Sequence, residues 1–376
     1  MPKDSRLVGW VTDARARAVI PPFVVSRVIV LLSLAVTRHV LRAVSTDPLP
    51  IQSRLGLVGW DAAWYRDIAD GGYDAVPRVG LRFFPFFPGV ARMVDWVPGV
   101  DAGLAVVLVA NLCALAVGFL LYELVIREGK GVALARRSVW ILYLAPSAFV
   151  LVMGYAESLM MIAAVVSLIA LRSRRWWIAA IAGVVAGLTR PVGFLLVVPA
   201  LVEVYRARKA LPAKDRVGAV AAVLGPAVGM GAYLVWAERR TGDLFYPLRV
   251  QQKSTTRGAW IDPFRAVWRA GREFGSGDHL SAGIHIVTAL LLVALVVVLW
   301  RRWPASFTAY ALAATMIGLS ARNLDSLERY SFSTVPFVVA AADLTGSGTR
   351  ERIVLAALGA LLVVGSVLAF SGVLVP

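Results

Sequence analysis

The chain has 376 residues, of which 59% are hydrophobic and 16% are charged, and its formal net charge is +16. This composition excludes an ordinary soluble protein, because the apolar segments are too long and too numerous to be helices around a globular core. A membrane β-barrel is also excluded, since its strands would alternate in polarity over about ten residues. The sequence therefore predicts an all-α polytopic membrane protein.

The positive charge lies mainly in short loops between the apolar segments. Arginine and lysine in such loops set the topology of a membrane protein and contact anionic headgroups, so we expect membrane lipids as partners and no nucleic acid. Basic residues outnumber acidic ones in residues 1–18, which favours a cytoplasmic N-terminus. The first apolar run starts only near Val19 and no cleavage pattern follows it, so it is predicted to be a retained span.

Apolar stretches separated by polar loops predict about eleven membrane crossings in one integral membrane domain, residues 1–376. Two stretches are interrupted, one near Gly154 and one at Arg190, and each is interpreted as two short crossings beside a water-filled external cavity. The predicted crossings are residues 19–44, 102–126, a pair within 138–171, a pair within 176–203, 217–237, 284–300, 304–320, 330–342 and 353–375. Residues 45–101 and 238–283 are the two long external segments.

The first external segment carries a group of aspartates among aromatic side chains, with Asp61 flanked by Trp60 and Trp64. A carboxylate that is surrounded by aromatic side chains near a membrane interface can serve as a general base. The alternative is a helix cap, because residues 61–69 have helical periodicity and aspartate is a good N-cap. The residues alone leave both interpretations open. The aromatic and proline run at residues 83–88 is interpreted as a structural wedge.

Glu157 lies between two apolar runs, where an unpaired ionisable group is costly. It needs either a cationic partner or a polar cavity. Arg190 occupies the equivalent position in the next interrupted stretch and is therefore the candidate partner. Structural pairing and a role in a site are both compatible with this pattern.

The second external segment is rich in arginine interleaved with Trp260, Phe264 and Trp268, a pattern typical of an interfacial amphipathic stretch. Its basic residues either anchor the segment to lipid or clamp the phosphate of a lipid-linked substrate, since guanidinium groups bind phosphate oxygens in pairs. Arg329 and Tyr330 begin the next predicted crossing on the same side. They either snorkel to the interface or belong to a site.

Several familiar signals of cofactor chemistry are missing from the sequence. Cys113 is the one cysteine, and His39, His279 and His285 have no metal-site spacing, so no disulfide or metal site is expected. There is neither a Walker loop nor a dinucleotide fingerprint, and the cytoplasmic loops are too short to hold a nucleotide-binding domain. An enzyme that works outside would therefore need an activated donor delivered in the membrane.

The sequence resembles the PIG-V-like mannosyltransferases, the family of GPI mannosyltransferase 2 and its actinobacterial relatives. The resemblance covers about residues 59–340, and its first block is the most specific. Val192 departs from the family pattern, which has an asparagine-like residue there. The matching blocks are Trp60-Asp61-x-x-Trp64-Tyr65-x-x-Ile68-Ala69-x-x-Gly72-Tyr73, Phe83-Phe84-Pro85-x-x-Pro88, Tyr155-Ala156-Glu157-Ser158, Thr189-Arg190-Pro191-x-Gly193, Thr241-Gly242-Asp243 with Gln251, Gln252 and Trp260, and Glu328-Arg329-Tyr330.

The resemblance implies a GT-C glycosyltransferase fold and transfer of a mannosyl residue, with inversion, from a polyprenyl-phosphate donor to a lipid-linked or cell-envelope glycan at the outer face. It makes Asp61 the catalytic base. The substrate-binding residues that it suggests are Trp60, Trp64, Tyr65, Arg82, Glu157, Arg190, Gln251, Gln252, Arg257, Trp260, Arg329 and Tyr330. The alternatives are a GT-C enzyme that uses another polyprenyl-phosphate sugar, a non-catalytic subunit of such a complex, and a transporter or flippase of a lipid-linked sugar.

Overall fold

The structure is a computed structural model that describes residues 4–44, 48–253, 257–276, 281–324 and 326–375, with the side chains of residues 4–13, 281 and 282 left out. Lys3 and His279 lie outside the described residues. The described chain is helical, and its one β-type contact is an isolated bridge between Trp260 and Ala321. The helices are α1 (Asp4–Val44), α2 (Ile51–Leu55), α3 (Asp61–Gly71), α4 (Phe86–Asp95), α5 (Ala102–Arg127), α6 (Gly131–Leu144), α7 (Glu157–Arg172), α8 (Trp176–Thr189), α9 (Val197–Ala207), α10 (Ala213–Thr241), α11 (Tyr246–Val250), α12 (Pro263–Gly275), α13 (Ser281–Arg302), α14 (Ala305–Leu319), α15 (Leu327–Phe332), α16 (Val335–Thr345) and α17 (Thr349–Ser371).

Five of the described helices are long and apolar enough to cross a membrane: most of α1, together with α5, α10, α13 and α17. Helices α8, α14 and α16 are also apolar but shorter. The stretch predicted as one crossing at residues 330–342 is divided between α15 and α16, because Pro336 lies at the start of α16 and has no backbone N–H to continue the preceding helix. The count of eleven crossings stays a prediction.

Polar side chains collect at the two ends of the helix bundle. At one end Arg172, the last residue of α7, forms a bidentate ion pair with Glu128, with N–O distances of 2.9 and 3.2 Å. At the same end the Lys130 ammonium donates to the backbone carbonyl of Arg302. The guanidinium of Arg302 forms an ion pair with Asp343. The opposite end of α7 begins at Glu157, and the candidate site lies there.

An irregular segment at residues 145–156, with a short 3₁₀ helix at Ala148–Leu151, separates α6 from α7 and is mostly buried in the bundle. Its buried backbone carbonyls need donors, because an unpaired polar group away from water is costly. The guanidinium of Arg27, in the middle of α1, donates to the carbonyl of Leu151 at 3.0 Å and to the side-chain oxygen of Asn111 at 3.1 Å. The Asn111 amide donates to the carbonyl of Val152 at 2.8 Å. These two polar side chains within apolar helices therefore hold the segment that leads to Glu157.

Replacing Arg27 with methionine is expected to lower the free energy of unfolding by about 1–3 kcal/mol, because the buried carbonyl of Leu151 loses its donor. Thermal or denaturant unfolding in detergent micelles, followed by tryptophan fluorescence, measures the change. Arg42→Met is the matched control, since Arg42 lies on the same helix and is exposed. Equal effects of the two substitutions would show that Arg27 does not support the segment.

Candidate functional site

Asp61 is the first residue of α3, and the residue before it has an unusual backbone. Trp60 has a φ of +55°, a conformation that a bulky L-residue adopts only when its surroundings impose it. Two hydrogen bonds do so: the Trp60 backbone N–H donates to the side-chain oxygen of Gln52, and its indole N–H donates to the carbonyl of Ala369, both at 2.9 Å. The start of α3, and with it Asp61, is thus fixed by α2 and α17.

The side chain of Asp61 does not cap α3. Its Oδ2 accepts a hydrogen bond from Nη1 of Arg329 at 2.6 Å, and Trp60 occupies the cap position without a side-chain cap bond. The helix predicted at residues 61–69 is confirmed as α3, whereas the cap interpretation of Asp61 is wrong. The Asp61 side chain is 25% exposed and Arg329 is 7% exposed, so the carboxylate is the more accessible member of the pair.

Arginines determine the protonation state of Asp61. Burial by itself would raise the pKa of this carboxyl, but the charges of Arg329 and Arg82, the hydrogen bond from Arg329 and the charge of Arg190 bring the pKa below the ordinary value of 3.8. Asp61 is therefore ionised at neutral pH. An ionised carboxylate that keeps some exposure can accept a proton from an incoming hydroxyl group.

Glu157 is fully buried at the start of α7 and is paired with two arginines. It forms an ion pair with Arg190, and its Oε1 lies 3.4 Å from Nε of Arg329. The predicted pairing of Glu157 with Arg190 is confirmed. Pro191 ends α8 and favours extended backbone at Arg190, which projects this side chain from the helix end. Gly193 belongs to the same turn, where an added Cβ would overlap the carbonyl of Ala186.

Tyr330 lies at the centre of the cationic part of the site. Its ring centroid is 5.2 Å from the guanidinium carbon of Arg190, 4.8 Å from that of Arg257 and 5.3 Å from that of Arg329. The negative face of an aromatic ring attracts such cations and lets them approach one another. Three arginines from distant parts of the sequence therefore converge on one ring.

Arg257 is held by backbone contacts between its own segment and the end of α14. Its guanidinium donates to the carbonyl of Gly318 at 2.7 Å. Its backbone carbonyl accepts from Asn323 at 2.9 Å, and three residues later Trp260 forms the bridge with Ala321. The sequence pattern alone could not place Arg257, because these contacts join segments about sixty residues apart.

The aromatic residues of the first external segment form one side of the site. Trp64 stacks on Phe83 with ring centroids 5.6 Å apart, and the guanidinium carbon of Arg82 lies 4.8 Å from the centroid of Phe83. Tyr65 is buried and packs edge-on against Phe83 and Phe87. The run at residues 83–88 is consistent with its interpretation as a structural wedge, because Phe83, Phe84 and Phe87 are all buried.

The remaining predicted binding residues lie in the segment around Arg257. Trp260 is 55% exposed and Gln252 is exposed, whereas the backbone carbonyl of Gln251 accepts a hydrogen bond from the N–H of Arg257 at 3.1 Å. The backbone of Gln251 thus supports the position of Arg257. A role of the three residues in substrate binding stays a prediction.

Tyr155 was not among the predicted site residues. It is fully buried, its hydroxyl oxygen accepts from the backbone N–H of Asp61 at 3.3 Å, and its ring centroid lies 5.4 Å from the guanidinium carbon of Arg329. A sequence signal was present, because Tyr155 lies two residues before Glu157 in the break between two apolar runs. The tyrosine therefore links the irregular segment at residues 145–156 to the start of α3.

No model of a known protein family matches the sequence, and no curated protein matches it. The similarity to PIG-V-like mannosyltransferases therefore stays a prediction. Within the described part of the chain, no three His, Cys, Asp or Glu side chains form a group that could hold a metal ion.

The site combines one accessible carboxylate with an excess of cations. Asp61 and Glu157 pair with Arg329 and Arg190, and Asp61 also experiences the charge of Arg82. Arg257 lies over the ring of Tyr330, together with Arg190 and Arg329. Such an arrangement can remove a proton at one point and stabilise negative charge at a neighbouring point.

Proposed function

We propose that this chain is an inverting glycosyltransferase of the GT-C class that transfers a mannosyl residue from a polyprenyl-phosphate donor to a lipid-linked or cell-envelope glycan at the extracytoplasmic face of the membrane. The observation that carries the proposal is the contact between the accessible carboxylate of Asp61 and Arg329 within a cluster of arginines. A hydroxyl acceptor needs a base, and a departing lipid phosphate needs cations.

The proposed reaction is a single displacement at the anomeric carbon. The acceptor oxygen forms a bond to this carbon on the face opposite the phosphate, while the bond from the carbon to the phosphate oxygen breaks and its electron pair leaves with the phosphate. Asp61 takes the proton of the acceptor hydroxyl group. Positioned proton transfer of this kind contributes about 10²–10⁴-fold to a rate.

Arg190, Arg257 and Arg329 would stabilise the charge that develops on the leaving phosphate. Guanidinium groups bind phosphate oxygens through paired, charge-assisted hydrogen bonds, and such bonds are strong where water is excluded. Arg190 and Arg329 are buried, and Arg257 is half-buried. Glu157 would act as a positioning residue, since it holds Arg190 and approaches Arg329 without exposure to solvent.

The GT-C fold and the eleven crossings are part of this proposal, as is a cytoplasmic N-terminus. Two groups of polar contacts support an arrangement in which successive helices run between opposite ends of the bundle. Residues of α3, α7, α8 and α15 meet around Asp61, whereas the ion pairs of Arg172 and Arg302 lie at the other end. The absence of a nucleotide-binding motif in the sequence favours a lipid-linked donor over a nucleotide sugar.

The direct test uses purified protein in detergent with polyprenyl-phosphate [³H]mannose and an alkyl mannoside as acceptor. We expect a radioactive glycoside to form with the wild type and not with Asp61→Asn. A second reaction with polyprenyl-phosphate glucose tests the choice of sugar. Absence of transfer from both donors, together with movement of the unmodified lipid across proteoliposomes, would replace the enzyme proposal with the flippase alternative.

The lowered pKa of Asp61 predicts the acid side of the pH profile. A carboxyl whose pKa lies below 3.8 stays ionised as the pH falls from 7 to 5, so kcat/KM should not decline over this range through protonation of Asp61. His285 contacts Glu328 beside Arg329, so the profile is also measured in the control variant His285→Gln. A decline near pH 6 that persists in His285→Gln and moves in Asp61→Glu would contradict the prediction.

A further inference from the structure

The arginines of the site outnumber the carboxylates that they contact. Arg190 pairs with Glu157, and Arg329 pairs with Asp61. Arg82 and Arg257 form no salt bridge with a carboxylate among the described residues, and Arg82 acts through its charge alone on Asp61, which is already paired. The site therefore holds two positive charges that the described part of the protein does not neutralise.

These two arginines also keep unused hydrogen-bonding capacity. The Nε atoms of Arg82 and Arg257 are buried and have no hydrogen-bond partner among the described residues. A buried hydrogen-bond donor without an acceptor lowers the stability of the folded state, and such groups are rare in folded proteins. An anionic ligand that enters the cluster would supply the missing acceptors.

The space beside Arg257 is bordered by polar and apolar side chains. A small cleft there is lined by Arg257 and Tyr330 together with Val192, Leu195 and Ile317. Both kinds of side chain thus lie beside the guanidinium of Arg257.

We propose that the cluster is built for the doubly charged phosphate of a lipid monoester, so that the polyprenyl phosphate released by the reaction binds more tightly than the singly charged sugar donor. This inference rests on the proposed function. A sugar phosphodiester carries one negative charge, whereas a phosphate monoester carries about −1.5 to −2 at neutral pH. The two unneutralised arginine charges match the charge of the phosphate monoester.

The charge of the phosphate increases during the proposed reaction itself. When the bond from the anomeric carbon to the phosphate oxygen breaks, the electron pair stays on that oxygen and the diester becomes a monoester. A site whose positive charge matches the phosphate monoester stabilises the transition state more than it stabilises the diester substrate. Binding energy used in this way raises kcat. Such a site also retains its lipid product, and release of polyprenyl phosphate should then limit turnover.

The test compares three ligands of the purified wild-type protein in neutral detergent at pH 7.5: farnesyl phosphate, its methyl diester and inorganic phosphate. Calorimetry measures binding without any need for turnover. We expect the monoester to bind about tenfold more tightly than the diester, the equivalent of one charge-assisted hydrogen bond. Inorganic phosphate should bind more weakly than the monoester, because it lacks the apolar chain. A diester that binds as tightly as the monoester would overturn the charge match, and phosphate that binds as tightly would overturn the lipid assignment.

Arg257→Gln and Arg82→Gln each remove one of the unneutralised charges, and we expect either substitution to reduce the preference for the monoester to about threefold or less. Arg272→Gln, on the exposed part of α12, is the control and should keep the full preference. Equal weakening of the monoester and the diester in both site variants would overturn the inference. Because binding is measured directly, a protein that prefers the monoester but transfers no sugar refutes the proposed function alone. Transfer without the preference refutes this inference alone.

Discussion

The substitution Asp61→Asn is expected to reduce the rate of sugar transfer by about 10²–10⁴-fold, the contribution of a positioned general base. The substitution removes the basic carboxylate but keeps an oxygen that can accept the hydrogen bond from Arg329. Because Asp61 is 25% exposed and Arg329 also approaches Glu157, the stability of the variant should stay close to that of the wild type. Initial rates with saturating donor and the midpoint of thermal unfolding give the two quantities.

The matched control is Asp70→Asn on the same helix. Asp70 is exposed and lies nine residues after Asp61, on the opposite face of α3. It should keep full activity, so a loss in both variants would indicate damage to α3 rather than removal of a base. Asp61→Glu adds one methylene group and should retain partial activity. A fully active Asp61→Asn would exclude Asp61 as the base.

Some of the site could be predicted because charge in apolar surroundings has few physical solutions. Glu157 between two apolar runs required either a cationic partner or a polar cavity, and the interruption at Arg190 supplied the cation. Asp61 was selected by its aromatic flanks and by the family resemblance. The contact between Asp61 and Arg329 could not be derived, because it joins residues 268 positions apart and depends on how α15 packs against α3.

Other features depend on backbone geometry that the sequence does not mark. The positive φ of Trp60 results from hydrogen bonds to Gln52 and Ala369, and no single residue in its neighbourhood signals it. Arg27 gave a signal that could have been used, since an arginine inside a predicted crossing is costly. Its partners are a backbone carbonyl and an asparagine, so a search for ion pairs alone would not have identified them.

The ion pair between Glu157 and Arg190 provides the largest expected effect on stability. Glu157→Gln would leave Arg190 and Arg329 buried with one carboxylate fewer, and removal of one partner from a buried pair costs about 3–5 kcal/mol. Arg190→Gln would leave the fully buried Glu157 with Arg329 as its one described cationic partner, so we expect a loss of similar size. Unfolding in detergent micelles, followed by tryptophan fluorescence, measures both.

The double variant Glu157→Gln, Arg190→Gln distinguishes a coupled pair from two independent residues. If the charges neutralise each other, the double variant should be more stable than the sum of the single effects predicts, by about 1–3 kcal/mol. The double variant should nevertheless lack transferase activity, because it has lost the Arg190 guanidinium that lies over the ring of Tyr330 beside the leaving phosphate. Additive losses of stability would show that Arg329 alone neutralises Glu157. Restored activity in the double variant would remove Arg190 from the proposed phosphate site and leave Arg257 and Arg329 to bind the lipid phosphate.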